Sequence, residues 1–477
     1  MEIEDFRQHA HAFADWMADY LAGVEHYPVR AQVKPGDIAR RVPAEPPAAP
    51  EAMARIFADF QADLLPGMTH WQHPSFFAYF PANSSPPSVL AEMLTATLAA
   101  QCMLWETSPA ATELETRVMD WLRRMIGLPE GFAGVIQDTA STATLTALLT
   151  ARERATGWRA SGEGLATLGA EGLRLAVYAS EESHSSVEKA ATLAGFGRQY
   201  LRRIATDAAF AMNPQALAQA IADDQAQGLT PAAVVATLGS TGVGAVDPLE
   251  PIAGICQAEG IWLHVDAAWA GSALILPEHR WMIAGVEAAD SFVFNPHKWL
   301  FTNFDCSAYF VRDPAALTRT FAIAPPYLET REAARVIDYR DWGIPLGRRF
   351  RALKLWFVIR AYGVDGLKAK IARHIDWAQE LARQVAAAED FELVAPPSLA
   401  LFNFRYRPPA IESEDALDRL NRRLLDRLND GGRLYLTRNL VKGRFAIRFA
   451  VGQTATTREH VQQAWRRIQE TAKAIAS

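Results

Sequence analysis

A lysine and an aspartate each follow a short apolar run that has the length and composition of a β-strand. The run IWLHV leads into Asp266, and the run SFVF leads into Asn295-Pro296-His297-Lys298. Because the carboxyl ends of neighbouring parallel strands meet at one edge of a sheet, we expect the two side chains to lie near each other. Apolar residues follow Lys298, and partial desolvation lowers the pKa of a lysine and makes it a better imine-forming amine.

This pair of groups is what pyridoxal 5'-phosphate needs from a protein. The aldehyde of the cofactor reacts with the amine, and the carboxylate keeps the ring nitrogen protonated, which makes the ring a strong electron sink. Taken alone, Asp266 fits a structural ion pair or a helix cap equally well. Lys298 in its apolar setting favours the cofactor interpretation.

Two further strand ends carry polar residues that suit the same cofactor. The segment DTAST, from Asp138 to Thr142, follows the short strand Val135-Ile136 and precedes a helix expected to start near Ala143. A helix N-terminus binds anions, so this segment predicts a phosphate site, although by itself it would be an ordinary cap. His184 follows the run LAVYAS; a lone histidine is more often a capping or surface residue, but here it is placed to stack on the ring.

Strand-length apolar runs alternate with helical patterns between residues 86 and 362. The runs LAVYAS, AVVATLG, IWLHVDA and SFVFN are separated by predicted helices at 187–194 and 214–225. An earlier long helix is marked by the apolar residues Leu114, Val118, Trp121, Leu122 and Met125. This alternation predicts a large α/β domain with a mainly parallel sheet covered by helices on both faces.

Residues 1–85 predict a separate helical segment. The first helix carries an apolar stripe formed by Phe13, Trp16, Met17, Tyr20 and Leu21. The proline-rich stretch from Pro28 to Pro50 lacks periodicity and is typical of an extended connector, because proline fixes φ and removes a donor. We therefore expect the first helix to pack away from its neighbours in sequence, either on the core of its own chain or on a partner subunit.

The sequence pattern of residues 363–477 differs from the alternation before it and predicts a smaller C-terminal α+β domain. A helix precedes the strand-like runs FELVAP, ALFNFRY, LYLTR and RFAIRFAV. A last helix is expected to begin with the capping box Thr456-x-x-Glu459.

The composition excludes several classes of protein. The 477 residues are 50% hydrophobic and carry a net charge of −6, so we expect no nucleic acid or membrane partner. The three cysteines, Cys102, Cys256 and Cys306, lie far apart, so we expect neither a disulfide framework nor a metal site. The acidic start and the lack of a long apolar run predict a soluble, cytoplasmic protein.

Six segments resemble the group II pyridoxal-phosphate decarboxylases, and specifically the aromatic-L-amino-acid decarboxylases. They are HWQHPSFFAYFP from His70, TELE from Thr112, SSVEKA from Ser185, HVDAAWAGSA from His264, NPHKW from Asn295 and IPLGRRFRALKLWF from Ile344. NPHKW with an upstream HVDAA is highly specific for this group. The resemblance implies an aspartate-aminotransferase-like fold of fold type I, pyridoxal 5'-phosphate as cofactor, and a homodimer with its active site at the subunit interface.

The resemblance also assigns roles to residues. Lys298 matches the Schiff-base lysine, Asp266 the partner of the pyridinium nitrogen and His184 the ring-stacking histidine. Tyr327 matches the tyrosine of a mobile loop that closes over the site and donates a proton to the substrate carbon. Positions that hold the phosphate or line the ring are Ala140, Ser141, Thr241, Asn295 and His297. Positions that face the substrate are Trp71, Tyr79, Phe80, Pro81, Ala82, His184 and Gly347, with Gln101 and Met103 arriving from the partner subunit.

Some positions depart from the family pattern. The pair Ala82-Asn83 stands where eukaryotic members often carry a threonine thought to touch the substrate carboxylate. Asp138 and Thr142 replace residues that are usually Gly and Glu, and DTAST resembles bacterial members. The resemblance therefore implies an enzyme of the bacterial type with the chemistry intact.

The implied reaction converts an aromatic L-amino acid into an arylalkylamine and CO2. The sequence does not rank tryptophan, 5-hydroxytryptophan, DOPA, tyrosine and phenylalanine, although a glycine at position 347 accompanies phenolic substrates in plant relatives. The alternative is an aromatic aldehyde synthase, in which a phenylalanine usually replaces the loop tyrosine, so Tyr327 argues against it. Glutamate decarboxylase fits less well because no guanidinium site for a side-chain carboxylate is evident. A cofactor-free binding protein would have lost Lys298 or Asp266.

Overall fold

The computed structural model describes residues 1–323, 332 and 335–476. Contacts within the chain divide it into two compact units. The large unit consists of residues 82–376 and 395–402. The small unit consists of residues 1–81, 377–394 and 403–477.

Helices occur in both units, and several lie where the sequence predicts them. In chain order they are α1 Ile3–Gly23, α2 Asp37–Arg41, α3 Met53–Asp59, α4 Pro86–Leu98, α5 Pro109–Ile126, α6 Ala140–Ala155, α7 Ala160–Glu163, α8 Leu165–Ala170, α9 Ser185–Leu193, α10 Pro214–Ala226, α11 Leu249–Glu259, α12 Pro296–Trp299, α13 Pro314–Phe321, α14 Arg351–Ala387, α15 Glu414–Asp430 and α16 Arg458–Ala476. The predicted stripe that includes Val118 and Leu122 lies on α5, where both side chains are buried. The helices predicted at 187–194 and 214–225 correspond to α9 and α10.

The large unit is built on a seven-stranded sheet. Its strands are β1 Ala133–Gln137, β2 Leu175–Ser180, β3 Leu201–Ile204, β4 Thr230–Thr237, β5 Trp262–Asp266, β6 Ser291–Phe294 and β7 Ser307–Val311. They lie in the order β1-β7-β6-β5-β4-β2-β3. Only β7 runs antiparallel to its neighbours, β1 and β6, and the other neighbouring pairs are parallel. The predicted α/β fold with a mainly parallel sheet is confirmed.

Small side chains let α6 lie close to this sheet. Ala143, Ala147 and Ala151 recur every fourth residue and are fully buried in one core cluster with Leu148 and Val235. Residues four apart share one face of a helix, so this face is the one turned to the core. The packing fixes the helix at its core-facing side and thereby positions its N-terminus, which follows β1.

The small unit contains a four-stranded sheet in the order β10-β11-β9-β8. Its strands are β8 Phe391–Leu393, β9 Leu401–Tyr406, β10 Thr437–Val441 and β11 Arg444–Ala450. The strand predicted at LYLTR was displaced, because β10 begins only at Thr437. The backbone N–H and C=O of Leu436 both bond to the side chain of Asn429, and Tyr435 donates its N–H to Ser75 O. These bonds take up the backbone groups that a strand at LYL would have used.

The capping residue of α16 lies one position after the predicted one, at Thr457 instead of Thr456. The hydroxyl of Thr456 donates to Pro74 O at 2.6 Å and is buried. The residue that precedes α16 is Thr457, whose Oγ1 accepts the backbone N–H of His460 at 3.4 Å. Both threonines have a hydroxyl that could cap the helix. Because the hydroxyl of Thr456 bonds to Pro74 O, the cap is Thr457.

The predicted N-terminal helix is confirmed as α1, and its apolar stripe contacts residues of the same unit. Phe13 lies 4.5 Å from Phe57 between ring centroids, and Trp16 packs edge-on against Phe57 and Phe60. No residue of α1 is buried. The proline-rich connector that follows contains one short helix, α2. Within the described residues, no helix combines the length and apolarity needed to cross a bilayer.

The division of the chain predicted from sequence, at residues 85 and 362, remains a proposal. The compact units group the N-terminal 81 residues with the C-terminal sheet. The helix α14 is interrupted at Gly363, which has a φ of 66°, and passes from the large unit to the small unit between Asp376 and Trp377.

Candidate active site

A cavity of about 190 Å³ lies at the carboxyl ends of the strands of the large unit. It is lined by Thr139, Ala140, Ser141, His184, Ser186, Thr237, Gly239, Thr241, Asp266, Ala268, Trp269, Asn295, His297 and Lys298. These residues end or follow β1, β2, β4, β5 and β6. The structure thus brings together Lys298, Asp266 and His184 with all five positions expected to hold the phosphate or line the ring.

Asp266 ends β5 as a buried carboxylate, and Lys298 lies half-buried on α12. Oδ1 of Asp266 accepts the backbone N–H of Ala268 at 3.0 Å, and within the described chain no group donates to Oδ2. Burial raises the pKa of the Asp266 carboxyl, while the positive charge of Lys298, the Ala268 N–H and His184 oppose the rise. A cationic partner at Oδ2 would hold this carboxylate ionised.

His184 caps α9 and presents a neutral imidazole to the cavity. Its Nδ1 accepts the backbone N–H of Ser186 at 3.2 Å, and the Ser186 hydroxyl lies 2.8 Å from the same nitrogen. Desolvation lowers the pKa of the ring and Lys298 adds to the lowering, while Asp266 opposes it. With Nδ1 as an acceptor, the ring proton is on Nε2.

The segment after β1 forms the N-terminus of a long helix. Oγ1 of Thr139 accepts the N–H of Thr142 at 3.3 Å and caps α6, which begins at Ala140. The start expected near Ala143 was therefore three residues late, because the capping residue is Thr139 and the hydroxyl residues belong to the first turn. The N–H groups of Ala140 and Ser141 have no acceptor within the helix, so they are available to an anion at the cavity.

The residues that precede Lys298 are held in fixed orientations. Nδ1 of His297 accepts the N–H of Cys306 at 2.9 Å, and desolvation lowers the pKa of His297 to about 3. The ring is therefore neutral with its proton on Nε2. Oδ1 of Asn295 accepts the hydroxyl of Ser307 at 2.6 Å, which fixes the orientation of the Asn295 amide.

Several residues at the site were missed by the sequence reasoning. Thr237 lies inside the predicted run AVVATLG, which extends to Gly239, and only the structure shows that β4 ends at Thr237. Gly239 follows with a φ of 79°, and a Cβ there would lie 2.6 Å from that of Ala270, so only glycine fits this close approach. Asn83 donates its side chain to Lys298 O and its backbone N–H to His297 O. This contact holds the backbone of α12 beside residue 83.

Other predicted positions do not line this cavity in the described chain. Gln101, Met103 and Gly347 cluster elsewhere in the large unit. Oε1 of Gln101 accepts the N–H of Arg348 at 2.6 Å, and Met103 O accepts the N–H of Arg340. A Cβ on Gly347 would lie 3.3 Å from Nε2 of Gln101. Their expected place in the site of a partner subunit stays a prediction.

The predicted aromatic wall belongs to the small unit. Trp71 stacks on Tyr79 with ring centroids 5.7 Å apart, and Phe80 is buried beside Pro81. Ala82 is the first residue of the large unit. Tyr327 lies outside the described residues.

Comparison with known proteins identifies the family. Residues 35–407 match the family described as "Pyridoxal-dependent decarboxylase conserved domain". The chain belongs to the pyridoxal-dependent decarboxylase family. It is 43% identical to the phenylacetaldehyde synthase of Arabidopsis thaliana over 99% of this chain and 96% of that protein. It is 41% identical to tryptophan decarboxylase 2 of Oryza sativa subsp. japonica over 100% of this chain and 96% of that protein.

A solved member of this family has nearly the same fold. The crystal structure of Oryza sativa TDC with PLP and tryptamine has a TM-score of 0.96, at 37% identity over 100% of this chain and 99% of that chain. These relatives are plant proteins. The bacterial type expected from DTAST therefore receives no support.

The donor set of the cavity fits the family's cofactor. Lys298 supplies an amine, Asp266 a carboxylate with an oxygen left for the ring nitrogen, and the start of α6 supplies N–H groups for a phosphate. Among the described residues that line the cavity, Lys298 is the one lysine or arginine side chain, and it is the group that would bond to the cofactor's aldehyde.

A buried acid beneath the site gives a prediction about stability and pH. Asp247 is fully buried, and its carboxylate accepts the backbone N–H groups of Met212 and Thr237, each at 2.7 Å. Burial raises the pKa of Asp247 to about 7, above the ordinary value near 3.8. Between these two pH values the folded chain holds a proton that the unfolded chain has lost, so stability falls as pH rises.

Asp247→Asn removes this titration. The variant loses one N–H acceptor at every pH. The wild type, however, should lose about 3 kcal/mol of its free energy of unfolding between pH 5 and pH 8, and the variant should not show this loss. Urea unfolding of the two apoproteins at both pH values measures the difference. If the free energies of unfolding of the two proteins differ by the same amount at pH 5 and at pH 8, Asp247 does not titrate in the folded protein over this range.

Proposed function

We propose that the protein decarboxylates aromatic L-amino acids to arylalkylamines and CO2 with pyridoxal 5'-phosphate, as a cytoplasmic homodimer. The observation that carries the proposal is the meeting of Lys298, Asp266 and the N-terminus of α6 at one cavity. Similarity to a tryptophan decarboxylase supports the aromatic substrate class. The net charge of −6 gives no general attraction for a nucleic acid or for an anionic membrane surface.

Five residues of the cavity are given roles in this reaction. Bound pyridoxal phosphate supplies a ring that accepts the electron pair left on the substrate carbon when CO2 departs. Lys298 would hold the cofactor through its side-chain amine, and the same amine would be needed again when the product leaves. Asp266 keeps a proton on the ring nitrogen, and the N–H groups of Ala140 and Ser141 bind the phosphate. The neutral ring of His184 is proposed to lie against the cofactor.

The substrate side of the site is proposed from the resemblance. Trp71, Tyr79 and Phe80 would provide an apolar wall for an aromatic side chain, with Pro81 and Ala82 beside them. Gln101 and Met103 would reach the site of the partner subunit.

An aromatic aldehyde synthase is the second candidate. The 43% identity to a phenylacetaldehyde synthase favours it. Tyr327 argues against it, because a donor beside the substrate carbon directs the reaction to the amine. The two candidates share every earlier step and differ in whether that carbon receives a proton or reacts with O2.

Tyr327→Phe separates the two chemistries. Without the phenolic proton donor, amine formation should fall by roughly 10²- to 10⁴-fold, since this is what a positioned acid contributes. The substrate carbon then keeps its electron pair long enough to react with O2. The products shift from the amine toward aldehyde, ammonia and peroxide. Amine, aldehyde and O2 uptake are measured under air. Equal amine yield and O2 uptake in variant and wild type would remove Tyr327 from the role of donor.

An amine-release assay tests the proposed function. The cofactor-loaded protein is incubated with tryptophan, 5-hydroxytryptophan, DOPA, tyrosine and phenylalanine, with glutamate as the control acid. We expect CO2 and the matching amine in equal amounts from at least one aromatic acid and none from glutamate. Turnover of glutamate alone would contradict the aromatic assignment.

A further inference from the structure

The helix that carries Lys298 is too short to satisfy its own backbone. The helix α12 has four residues, Pro296–Trp299, and an α-helix leaves its last four carbonyl groups without partners inside the helix. The carbonyl of Pro296 accepts the N–H of Leu300 at 3.1 Å. The carbonyls of His297 and Lys298 must find donors elsewhere, because a carbonyl left unpaired inside a protein costs free energy.

Both carbonyls bond to one residue from another part of the large unit. The backbone N–H of Asn83 donates to His297 O at 2.8 Å, and its side-chain Nδ2 donates to Lys298 O. Asn83 is 2% exposed, so solvent has little access to this contact. The two carbonyls belong to the peptide groups that meet at the Cα of Lys298. Asn83 therefore holds the main chain on both sides of the atom from which the lysine side chain begins.

The side chains beside Lys298 have anchors of their own. Nδ1 of His297 accepts the N–H of Cys306 at 2.9 Å, and Nε1 of Trp299 donates to Nδ1 of His374 at 3.0 Å. The rings of residues 297 and 299 are both buried. Loss of the amide donor would thus leave the neighbouring side chains held, and would release the peptide group that follows Lys298.

We propose that Asn83 is a positioning residue that sets the direction in which the amine of Lys298 enters the cavity. The inference rests on the proposed function. The amine must approach the aldehyde carbon of pyridoxal phosphate in a suitable geometry to bond to it with release of water, and a misplacement of about 1 Å can slow a reaction about 10²-fold. Asn83 is not among the residues that line the cavity, so it acts through Lys298 and not on the cofactor.

Two ligands separate this role from support of the fold. Pyridoxal phosphate has the aldehyde that bonds to the amine of Lys298. Pyridoxine 5'-phosphate has the same ring and phosphate but a hydroxymethyl group in place of the aldehyde, so it binds without forming that bond. Loss of a positioning residue should affect the first ligand more than the second. Loss of a residue that shapes the whole cavity should affect both ligands alike.

Three variants test the proposal. Asn83→Leu removes the amide donor, nearly keeps the size of the side chain and retains the backbone bond to His297 O. Asn83→Ala removes the same donor without the bulk, and it serves if the leucine variant does not fold. Ser85→Ala is the matched control, because Oγ of Ser85 donates to Phe301 O at 2.7 Å, three residues beyond Lys298.

Three quantities are measured for each protein. They are the dissociation constant of pyridoxal phosphate, the dissociation constant of pyridoxine 5'-phosphate and the rate constant of covalent attachment of pyridoxal phosphate. Visible absorption follows the attachment, and borohydride trapping confirms it. Urea unfolding of the apoproteins checks the fold.

We expect Asn83→Leu to slow the attachment about tenfold to 100-fold and to weaken pyridoxal phosphate binding about twofold to tenfold, because the amine is misplaced. Its affinity for pyridoxine 5'-phosphate should stay within about twofold of the wild type, since that ligand forms no bond to the amine. Ser85→Ala should keep all three values.

Equal weakening of both ligands in Asn83→Leu would overturn the proposal and indicate that Asn83 shapes the cavity as a whole. Attachment at the wild-type rate in both Asn83 variants, or slower attachment in Ser85→Ala as well, would also overturn it. If the wild type itself binds neither ligand, the proposed function fails instead.

Discussion

Lys298→Ala is expected to abolish turnover of every aromatic amino acid. The amine supplies the covalent attachment of the cofactor and is needed again when the product leaves, so no other group of the cavity can replace it. The variant should also lose the absorption band that depends on this attachment, and borohydride should no longer fix the cofactor to the protein. Product formation and absorption spectra measure both effects.

The matched control is Lys189→Ala, which removes an exposed lysine from α9 in the same unit. It should keep wild-type turnover and colour. Residual activity of Lys298→Ala within tenfold of the wild type would show that the cofactor is held elsewhere. Loss of activity in both variants would point to a general effect of removing positive charge.

Asp266→Asn is expected to bind the cofactor but to decarboxylate several orders of magnitude more slowly. The amide keeps the shape of the carboxyl and can no longer hold a proton on the ring nitrogen as an anion does. Losing one partner of a buried ion pair costs about 3–5 kcal/mol. If this loss falls on the transition state, the rate drops by roughly 10²- to 10⁴-fold.

Asp223→Asn on the exposed side of α10 is the control for the same chemical change. Asp266→Glu keeps the anion with a longer side chain and should recover part of the rate. A near wild-type rate in Asp266→Asn would show that the ring proton is maintained by another group. The cofactor affinity, measured in parallel, separates loss of binding from loss of rate.

The strand-end residues could be predicted because two local signals coincide. Asp266 and Lys298 follow apolar runs that have the length and composition of buried strands, and the carboxyl ends of parallel strands lie at one edge of a sheet. The order of the strands was not needed for this conclusion. Recognition of the motifs NPHKW and HVDAA then added the family, which no periodicity can provide.

The missed features depend on contacts between residues far apart in sequence. Thr237 lies inside the predicted run AVVATLG, and its position at the end of β4, paired with Asp266 on β5, appears only in the tertiary structure. The start of β10 is set by the bonds of Leu436 to Asn429. The choice between Thr456 and Thr457 as the cap of α16 is made by Pro74. Local sequence patterns contain none of these contacts.

Borohydride reduction of the purified wild-type protein, followed by peptide mapping, tests most directly whether this cavity holds pyridoxal phosphate. The protein is loaded with the cofactor, reduced, digested and analysed by mass spectrometry, with an unreduced sample as the control. We predict that the cofactor is found on the peptide that contains NPHKW, attached to Lys298, and that the visible absorption is bleached. A modified lysine elsewhere in the chain, or a colourless protein that still releases CO2 from an aromatic amino acid, would contradict the assignment.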